Sequence, residues 1–460
     1  MEQRNQQNLG LNKSVSSGSN TRIRRPRNTQ SKESEFSWKL RISLRGQNKN
    51  NLFSNLIKHV NPDTLYEAFC ALDGKKARGV DGVTKPEYGK NLDENLKALA
   101  ERVQRGTYRP RPKREILIPK PNGKTRPIAI ACFEDKLIDW VVGEILTQVY
   151  EPLFIRNSFG YRPNKSADDA VKACYYSMEK NRRPYVLEID FSSFFNTIPH
   201  GKLMSIIEER ISDKRFNNLI RRLLKGGIEN QLGEVLPSEI GTPQGGIASP
   251  ILANIYLNKV IDQWFVENYS SYNNVIVRYA DDGIFFFKDE SKCKEFYEEL
   301  QKRVKKFGLK LNPDKTQIIA LDKKRKKHFH FLGFTFYWGK QGSRIIFKVK
   351  TQKEKLHKAI TEFDQWIKNI RNRMKLKDIW ELAKSKIQGH ANYYGYWMNN
   401  LKINHFYFEA KRSLFKWLNR RSQKISYTPE GFEERLKYFP LLKDFKDYQW
   451  KQLGTSFGRI

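Results

Sequence analysis

Two adjacent carboxylates between two apolar runs constrain the fold of this chain more than any other feature. Residues 274–279 and 283–287 are rich in β-branched and aromatic side chains, which is typical of strands. The segment Tyr279-Ala280-Asp281-Asp282 joins them tightly, so the pattern predicts a hairpin with both acids at its tip. An isolated Asp-Asp-Gly is more often a plain turn, whereas a repelling pair of carboxylates suits a site where divalent cations neutralise it. Other features must decide between the two.

A third carboxylate, Asp190, ends the apolar run 185–190. An acid at the end of a buried strand can face the crevice in which ligands of mixed sheets collect. Asp190 is distant from Asp281 in sequence, so only the fold can bring them together. Asp168 and Asp169 differ, because they open a predicted helix, where acids favour the helix dipole and are interpreted as caps.

The charge of the chain points to a polyanionic partner. It has 85 Lys and Arg against 50 Asp and Glu, a formal charge of +35, and nucleic acid is the leading candidate. No apolar run approaches the ~20 residues that span a bilayer, so no membrane partner is expected. The four cysteines have no C-x-x-C spacing, which favours reduced, buried thiols and no structural zinc. Residues 1–35 lack an apolar signal core, so the expected location is the cytoplasm.

Two segments carry residues suited to a nucleotide. Residues 114–119 and 125–130 predict a strand pair bearing Lys120 and Arg126, and a lysine beside an arginine fork suits a triphosphate. Solvated cations on an edge strand are the alternative. The segment 241–246, which includes Gln244, is rich in glycine. Its glycines could let the backbone approach a base pair closely; the alternative is a tight turn at the start of a helix.

From about residue 351 the pattern is helical, with three predicted helices at 353–373, 378–397 and 405–421. Their tryptophans, Trp366, Trp380, Trp397 and Trp417, are expected to form the core of a small bundle. Cations on the outer faces are candidates for RNA contact. These cations are Lys411, Arg412, Lys416, Arg420 and Arg421.

Several ordered blocks together resemble the group II intron reverse transcriptases, also called maturases, over about residues 50 to 425. Residues 279–282 are similar to the hairpin motif of that family, 188–196 to its first metal strand and 241–250 to its Pro-Gln-Gly block. Lys120 and Arg126 match the hairpin that holds the incoming triphosphate. Further blocks match in the expected order at 79–82, 159–163, 311–316 and 331–334.

The resemblance implies an α+β fold of the right-hand polymerase type, with fingers, a palm containing an antiparallel sheet, and an α-helical thumb. The implied division is a disordered basic arm (1–35), an N-terminal extension of the fingers (36–110), fingers and the start of the palm (111–185), the palm (186–345), the thumb or maturase domain (351–425) and a basic C-terminal segment (426–460).

The resemblance also implies the site. Asp190, Asp281 and Asp282 would bind two Mg²⁺ ions, for which Mn²⁺ could substitute. Lys120 and Arg126 would clamp the triphosphate, and the backbone around Ser193 and Phe194 would add donors. Phe195 matches the steric gate that excludes ribonucleotides, Gln244 would lie beside the nucleotide, and Lys315 matches a lysine near the leaving phosphate.

The implied function is an RNA-directed DNA polymerase that copies group II intron RNA and assists its splicing, using dNTPs and a target DNA primer. One alternative is a domesticated reverse transcriptase in phage defence or a CRISPR system; another is a non-enzymatic RNA-folding cofactor, disfavoured because all three aspartates are present. A bacterial, nucleoid-associated location is favoured over an organelle, and dimerisation stays open. No Cys or His follows Arg421, so a Cys/His endonuclease domain is expected to be absent, with priming from an existing DNA 3′ end.

Overall fold

The chain forms two compact units that divide between residues 320 and 321. The structure, a computed structural model, describes residues 31–119, 123, 125–179, 183–242, 245–270, 273–321, 327–423, 425–442, 450, 451 and 453. The division falls inside the predicted palm segment, 186–345. Most of the predicted basic arm lies outside the described residues, but its last five, 31–35, belong to a helix rather than to a disordered segment.

Helices surround two sheets in the larger unit, residues 30–320. The helices are α1 Ser31–Gly46, α2 Pro62–Ala71, α3 Lys85–Tyr88, α4 Leu92–Gln104, α5 Phe133–Tyr150, α6 Ala167–Glu179, α7 Phe194–Thr197, α8 His200–Glu208, α9 Lys214–Lys225, α10 Ser249–Leu257, α11 Gln263–Tyr269 and α12 Glu290–Lys306. The strands are β1 Lys113–Pro119, β2 Thr125–Ile130, β3 Tyr185–Ile189, β4 Ile228–Glu229, β5 Val235–Leu236, β6 Val275–Tyr279, β7 Asp282–Phe287 and β8 Gln317–Ala320.

The predicted acidic hairpin is confirmed: β6 and β7 pair antiparallel, with Tyr279 opposite Asp282. Strand β3 lies beside β7 in the sheet order β6-β7-β3-β8, and Ile189 pairs with Gly283. One residue further along this antiparallel register, Asp190 is opposite Asp282, because paired positions run in opposite directions. The sheet therefore brings the first carboxylate to the hairpin tip.

The second sheet has the order β2-β1-β4-β5. The predicted strand pair is confirmed as β1 and β2, in which Ile118 is opposite Arg126. The short strands β4 and β5 were not predicted, because two-residue strands are too short to show an alternating pattern. Strand β1 pairs with β4 in parallel, so this sheet joins segments distant in sequence.

Helix α5 is the centre of the larger core. Its apolar residues Leu137, Ile138, Val141, Val142, Ile145, Leu146 and Val149 are all fully buried. Two acids are buried with them. Asp135 accepts a hydrogen bond from the Tyr108 hydroxyl at 2.5 Å, and Asp139 accepts one from the Ile247 amide at 2.6 Å. Burial raises the pKa of Asp135 to about 6. These acids tie loops to the core helix.

A buried ion pair holds the base of the acidic hairpin. Arg278 on β6 is 1% exposed and donates to both carboxylate oxygens of Asp262, at 2.8 and 2.5 Å. It also donates to Asn254 Oδ1 and to the carbonyl of Ala280, both at 2.8 Å. Asp262 ends a π-helical turn, Asn258–Asp262, between α10 and α11. Such a turn inserts one extra residue and redirects the side chains that follow, a feature often found beside functional sites.

The smaller unit, residues 321–460, combines a three-stranded sheet with a helical bundle. Strands β9 His328–Phe331, β10 Phe334–Gln341 and β11 Arg344–Thr351 form the sheet, in the order β11-β10-β9. The bundle contains α13 Lys353–Ile370, α14 Leu376–Tyr394, α15 Asn400–Leu418 and α16 Pro429–Tyr438. The predicted helices are confirmed, whereas strand β11 was not predicted.

Two sequence predictions about single residues are wrong. Trp380 and Trp417 are buried in the core of the bundle, and Trp366 is partly buried against that core. Trp397 is 49% exposed, because it lies in the short turn Trp397–Asn399 rather than on a helix face that meets the bundle. Cys70 is exposed, whereas the other three cysteines are buried and free. None of the helices in the described part of the chain is long and apolar enough to span a membrane.

We predict that Asp262→Ala destabilises the larger unit strongly. The substitution leaves the Arg278 guanidinium buried without its anion, which costs about 3–5 kcal/mol. Urea unfolding followed by tryptophan fluorescence measures the loss. The matched control is Glu295→Ala, which removes a surface partner of Lys292 and should leave the unfolding midpoint as in the wild type. Equal midpoints for the two variants would contradict the prediction.

Candidate active site

Asp190 follows directly after β3 and is held by the loop that precedes β8. The Asn312 amide donates to the Asp190 carbonyl at 2.8 Å, and the Asn312 side chain donates to Asp190 Oδ2 at 3.1 Å. Lys315 Nζ lies 3.3 Å from the same oxygen. The Asp190 side chain is 28% exposed, so it is both positioned and accessible. The predicted lysine therefore contacts a predicted ligand directly.

The hairpin tip is shaped by a neighbouring glycine. Ala280 has a left-handed backbone, with φ of 55°, and its amide lies 2.4 Å from where a Cβ of Gly160 would be. Only glycine permits this approach, because real Cβ atoms do not come so close to backbone. The Phe159 amide also donates to the Arg278 carbonyl at 2.8 Å. Segment 157–160 therefore fixes the position of Ala280, the residue before Asp281.

The role of Gly160 and the partners of Arg278 were missed at the sequence level. Arg278 does carry a signal, since a charge in the middle of an apolar strand requires a buried partner. The partner itself has no signal, because Asp262 lies on a helix whose register is changed by the π turn. Asn312, within a block that the family resemblance identified, likewise shows its role only through its contacts with Asp190.

The three aspartates have the chemistry of a magnesium site. Carboxylate oxygens are the ligands that Mg²⁺ prefers, and it is usually held by one or two carboxylates together with substrate phosphates and water. Among the described residues, no group of three or more His, Cys, Asp or Glu is arranged to hold a metal ion by itself. The assignment of Asp190, Asp281 and Asp282 as ligands of the ion therefore stays a prediction.

The predicted gate segment forms a short turn after Asp190. Ser193 has a left-handed backbone with φ of 54° and precedes α7. Phe194 is buried, packing against Phe191, whereas Phe195 is half-buried. The carbonyl of Phe195 accepts a hydrogen bond from the Thr242 amide at 2.7 Å. The Phe195 segment and the glycine-rich loop are therefore in direct contact.

The glycine-rich loop is fixed at both ends. At its start, His200 Nε2 donates a hydrogen bond to the Gly241 carbonyl at 2.6 Å, and burial lowers the pKa of this imidazole. At its end, a Cβ on Gly245 would lie 2.7 Å from the Ala129 carbonyl of β2. Strand β2 also carries Arg126, which is exposed. Two predicted nucleotide contacts, Lys120 and Gln244, lie outside the described residues.

Four cations surround one buried tryptophan in the smaller unit. Their charged groups lie 4.6 to 5.5 Å from the centre of the Trp417 ring, and we call these residues the Trp417 cation cluster. They are Lys368, Arg371, Lys416 and Arg420. Asp364 accepts hydrogen bonds from Trp417 and Ser413 beneath them, at 2.8 and 2.9 Å.

The remaining predicted RNA contacts have protein partners. Lys411 pairs with Glu433 at 2.6 Å and is 25% exposed, whereas Arg412 pairs with Glu409 but is 69% exposed. Arg421 donates to the Met374 carbonyl at 3.1 Å. Lys416 and Arg420, of the predicted set, lie in the Trp417 cation cluster.

Comparison with known proteins identifies the family. Residues 118–336 match the family model described as reverse transcriptase (RNA-dependent DNA polymerase). The chain is 33% identical to protein YkfC of Escherichia coli over 294 residues, which are 56% of this chain and 77% of that protein. It is 36% identical to the group II intron-encoded protein LtrA of Lactococcus lactis over 224 residues, 48% of this chain but only 37% of LtrA.

A solved telomerase from Candida albicans, in complex with a fragment of telomeric RNA, has a TM-score of 0.42 and 14% identity over 75% of this chain and 65% of that chain. The predicted α+β class and enzyme class, an RNA-directed DNA polymerase, are confirmed by the matched family. The motifs around Asp190 and Asp281 lie inside the matched residues. The chain belongs to the reverse transcriptase family, among the group II intron-encoded proteins.

Proposed function

We propose that this protein copies group II intron RNA into DNA by two-metal nucleotidyl transfer at Asp190, Asp281 and Asp282. One observation carries the proposal: the strand register brings Asp190 to the tip of the hairpin that bears the other two acids. The fixed contact between Phe195 and Thr242 supports a nucleotide site next to it. These elements belong to different parts of the sequence, and all three acids are at least partly exposed.

The three carboxylates would hold the metal ions. When bound, Mg²⁺ supplies positive charge to the attacking primer hydroxyl and to the leaving pyrophosphate. The protein's own residues position the reactants. Asn312 orients Asp190, and the Lys315 ammonium, which contacts Asp190 and is 65% exposed, can reach an anionic group at the same site. Lys315 thus stays a candidate for contact with the leaving phosphate.

The sugar and the triphosphate would be recognised by separate elements. We assign Phe195 as the gate against a 2′-hydroxyl, with Ser193 and Phe194 adding backbone donors. Lys120 and Arg126 on the β1–β2 hairpin would clamp the phosphates, and Gln244 would contact the nucleotide. The contact of Gly245 with β2 supports this arrangement, because it links the glycine-rich loop to the strand that carries Arg126.

The likeness to LtrA supports group II intron RNA as template and splicing partner. The Trp417 cation cluster supports RNA contact in the smaller unit, since four cations beside one carboxylate favour a polyanion. A DNA 3′ end would serve as primer and dNTPs as substrates, which is consistent with a location near the bacterial nucleoid. We leave the oligomeric state open within this proposal.

Asp281→Ala is expected to abolish primer extension on an RNA template. Loss of a metal ligand removes several kcal/mol of transition-state stabilisation, at least about a 100-fold decrease in rate. Asp289→Ala is the matched control, because Asp289 is an exposed acid whose side chain makes no capping hydrogen bond at α12. The rate of dNTP incorporation with Mg²⁺ distinguishes the variants, and an active Asp281→Ala enzyme would overturn the proposal.

Phe195→Ala is expected to relax discrimination against ribonucleotides. Removing the ring opens space at the 2′ position, and filling or emptying such a pocket changes discrimination by about 10–200-fold. The ratio of kcat/KM for dNTP and rNTP measures the effect, with Phe195→Tyr as the variant that retains the ring. If the ratio for Phe195→Ala equals that of the wild type, Phe195 is not the gate.

The double variant Lys416→Gln/Arg420→Gln is expected to bind RNA more weakly. The affinity that remains should also depend less steeply on salt concentration. Each lost phosphate contact lowers the slope of log Kd against log salt by about 0.7–0.9. Lys292→Gln/Lys294→Gln supplies the control, because it also removes two charges, from lysines that pair with a glutamate on their own helix. Fluorescence anisotropy with a labelled RNA hairpin measures the slopes. Identical slopes for the three proteins would exclude the cluster as an RNA site.

A further inference from the structure

A basic cleft lies in the larger unit, formed by the C-terminal half of α9 and the segment that precedes β1. Its volume is about 460 Å³. The lining residues are Arg109, Pro110, Asn218, Arg221, Arg222, Lys225, Gly226 and Gly227. None belongs to the catalytic motifs, and the family resemblance assigned them no role. We call this feature the α9 cleft.

The lining of the α9 cleft is strongly positive. Half of its residues are cations, and none is acidic. Helix α9 as a whole has the sequence Lys-Arg-Phe-Asn-Asn-Leu-Ile-Arg-Arg-Leu-Leu-Lys, with five cations and no acid among twelve residues. Its apolar face, which includes Phe216, Leu219 and Leu223, is buried, so the cations are left on the opposite face. Such a surface attracts anions over a long range.

Two of the arginines are fixed in place by one backbone carbonyl. Arg109 Nη1 donates to the Tyr108 carbonyl at 2.9 Å, and Arg222 Nη1 donates to the same oxygen at 3.2 Å. Arg109 also donates to the Gly106 carbonyl at 3.1 Å. A guanidinium has five N–H donors, so these hydrogen bonds orient each side chain and still leave N–H donors for a ligand. The two forks are thus held together at the cleft wall.

Arg221 has exchangeable partners. It donates to the Asn218 side chain at 3.1 Å and pairs with Glu208. The two charged side chains are 38% and 40% exposed, so the pair is weak in water. A phosphate that approaches the cleft competes with the Glu208 carboxylate for the Arg221 guanidinium, because the paired N–H donors of arginine can bind either anion.

The dipole of α9 explains the position of only some of the cations in the α9 cleft. Arg222 and Lys225 lie in the last turn of α9, where cations favour the negative end of the helix dipole. Arg109, however, comes from a different element and gains nothing from that dipole, yet its fork is fixed beside Arg222. Bringing a third and a fourth cation to one cleft raises their mutual repulsion, which an anionic ligand relieves.

We propose that the α9 cleft binds the phosphodiester backbone of RNA, as a site separate from the catalytic aspartates. Arginine forks match phosphate oxygens, and the absence of aromatic residues from the lining argues against stacking of a base. The cleft therefore contacts the backbone without reading the sequence. The choice of RNA as the polyanion rests on the proposed function.

The test is the salt dependence of RNA binding by Arg109→Gln/Arg222→Gln/Lys225→Gln. Fluorescence anisotropy with a labelled RNA hairpin is measured over a series of KCl concentrations. Loss of two or three phosphate contacts should lower the slope of log Kd against log salt by roughly 1.5–3. The control variant, Lys292→Gln/Lys294→Gln/Lys358→Gln, removes the same charge from lysines that pair with a glutamate on their own helix, and its slope should stay close to that of the wild type.

Two further measurements separate the possible outcomes. The single variant Lys225→Gln changes an exposed residue at the end of α9 and should lower the slope by about 0.7–0.9, even if the triple variant folds poorly. Equal slopes for the cleft and control variants overturn the proposal. So does a loss of binding to phosphatidylserine vesicles with RNA binding unchanged, which would assign the cleft to a membrane surface.

Primer extension on a short template tests the two proposals independently. The cleft variant should extend a saturating poly(rA)/oligo(dT) substrate at the wild-type rate, because its substitutions lie outside the catalytic motifs. If wild-type protein shows no extension, the proposed polymerase function fails, while a slope difference still supports the cleft. If extension is normal but the slopes agree, only the cleft proposal fails.

Discussion

The buried ion pair between Arg278 and Asp262 is the interaction on which the position of the acidic hairpin depends. A single guanidinium joins a strand, a π-helical turn and the carbonyl of Ala280, next to the two aspartates. Burying both charges is costly unless the geometry is good and further hydrogen bonds complete it. Here Asn254 and Ala280 provide those bonds. Asn254 also donates to the Gly160 carbonyl at 2.7 Å, so the same network reaches the glycine against which the tip packs.

The nucleotide side of the site is built by the same means. Backbone groups of residues 241, 242 and 247 bond to Phe195, His200 and Asp139, and two of these partners lie on core helices. Polar groups buried inside the core thus position surface loops. This arrangement suits a polymerase, which must hold a small number of groups rigidly while a long nucleic acid moves past them.

Much of this arrangement could be predicted from the sequence, because strands with regular alternation and helices with long apolar faces give strong periodic signals. The β6–β7 hairpin, β3 and the helices α13, α14 and α15 are such elements. The partners of Arg278 could not be predicted, since pairing between residues 262 and 278 depends on an extra residue in a helical turn. The prediction that Trp397 is buried failed for a related reason. The periodic pattern extended the helix to residue 397, whereas the helix ends at Tyr394. The family resemblance supplied the roles of the motif residues, but not the contacts that hold them.

Gly160 shows how a residue can control the chemistry without meeting the substrate. Any side chain there would collide with the backbone of Ala280, so the hairpin tip could not keep its position. The position of Ala280, the residue before Asp281, is therefore set by the absence of an atom on a neighbouring loop. A displacement of about 1 Å at a reacting centre can cost roughly 100-fold in rate. Position 160 therefore requires the smallest residue, because the lack of a side chain lets the hairpin tip lie against it. A search for residues important to activity that considers only substrate contacts would therefore miss Gly160.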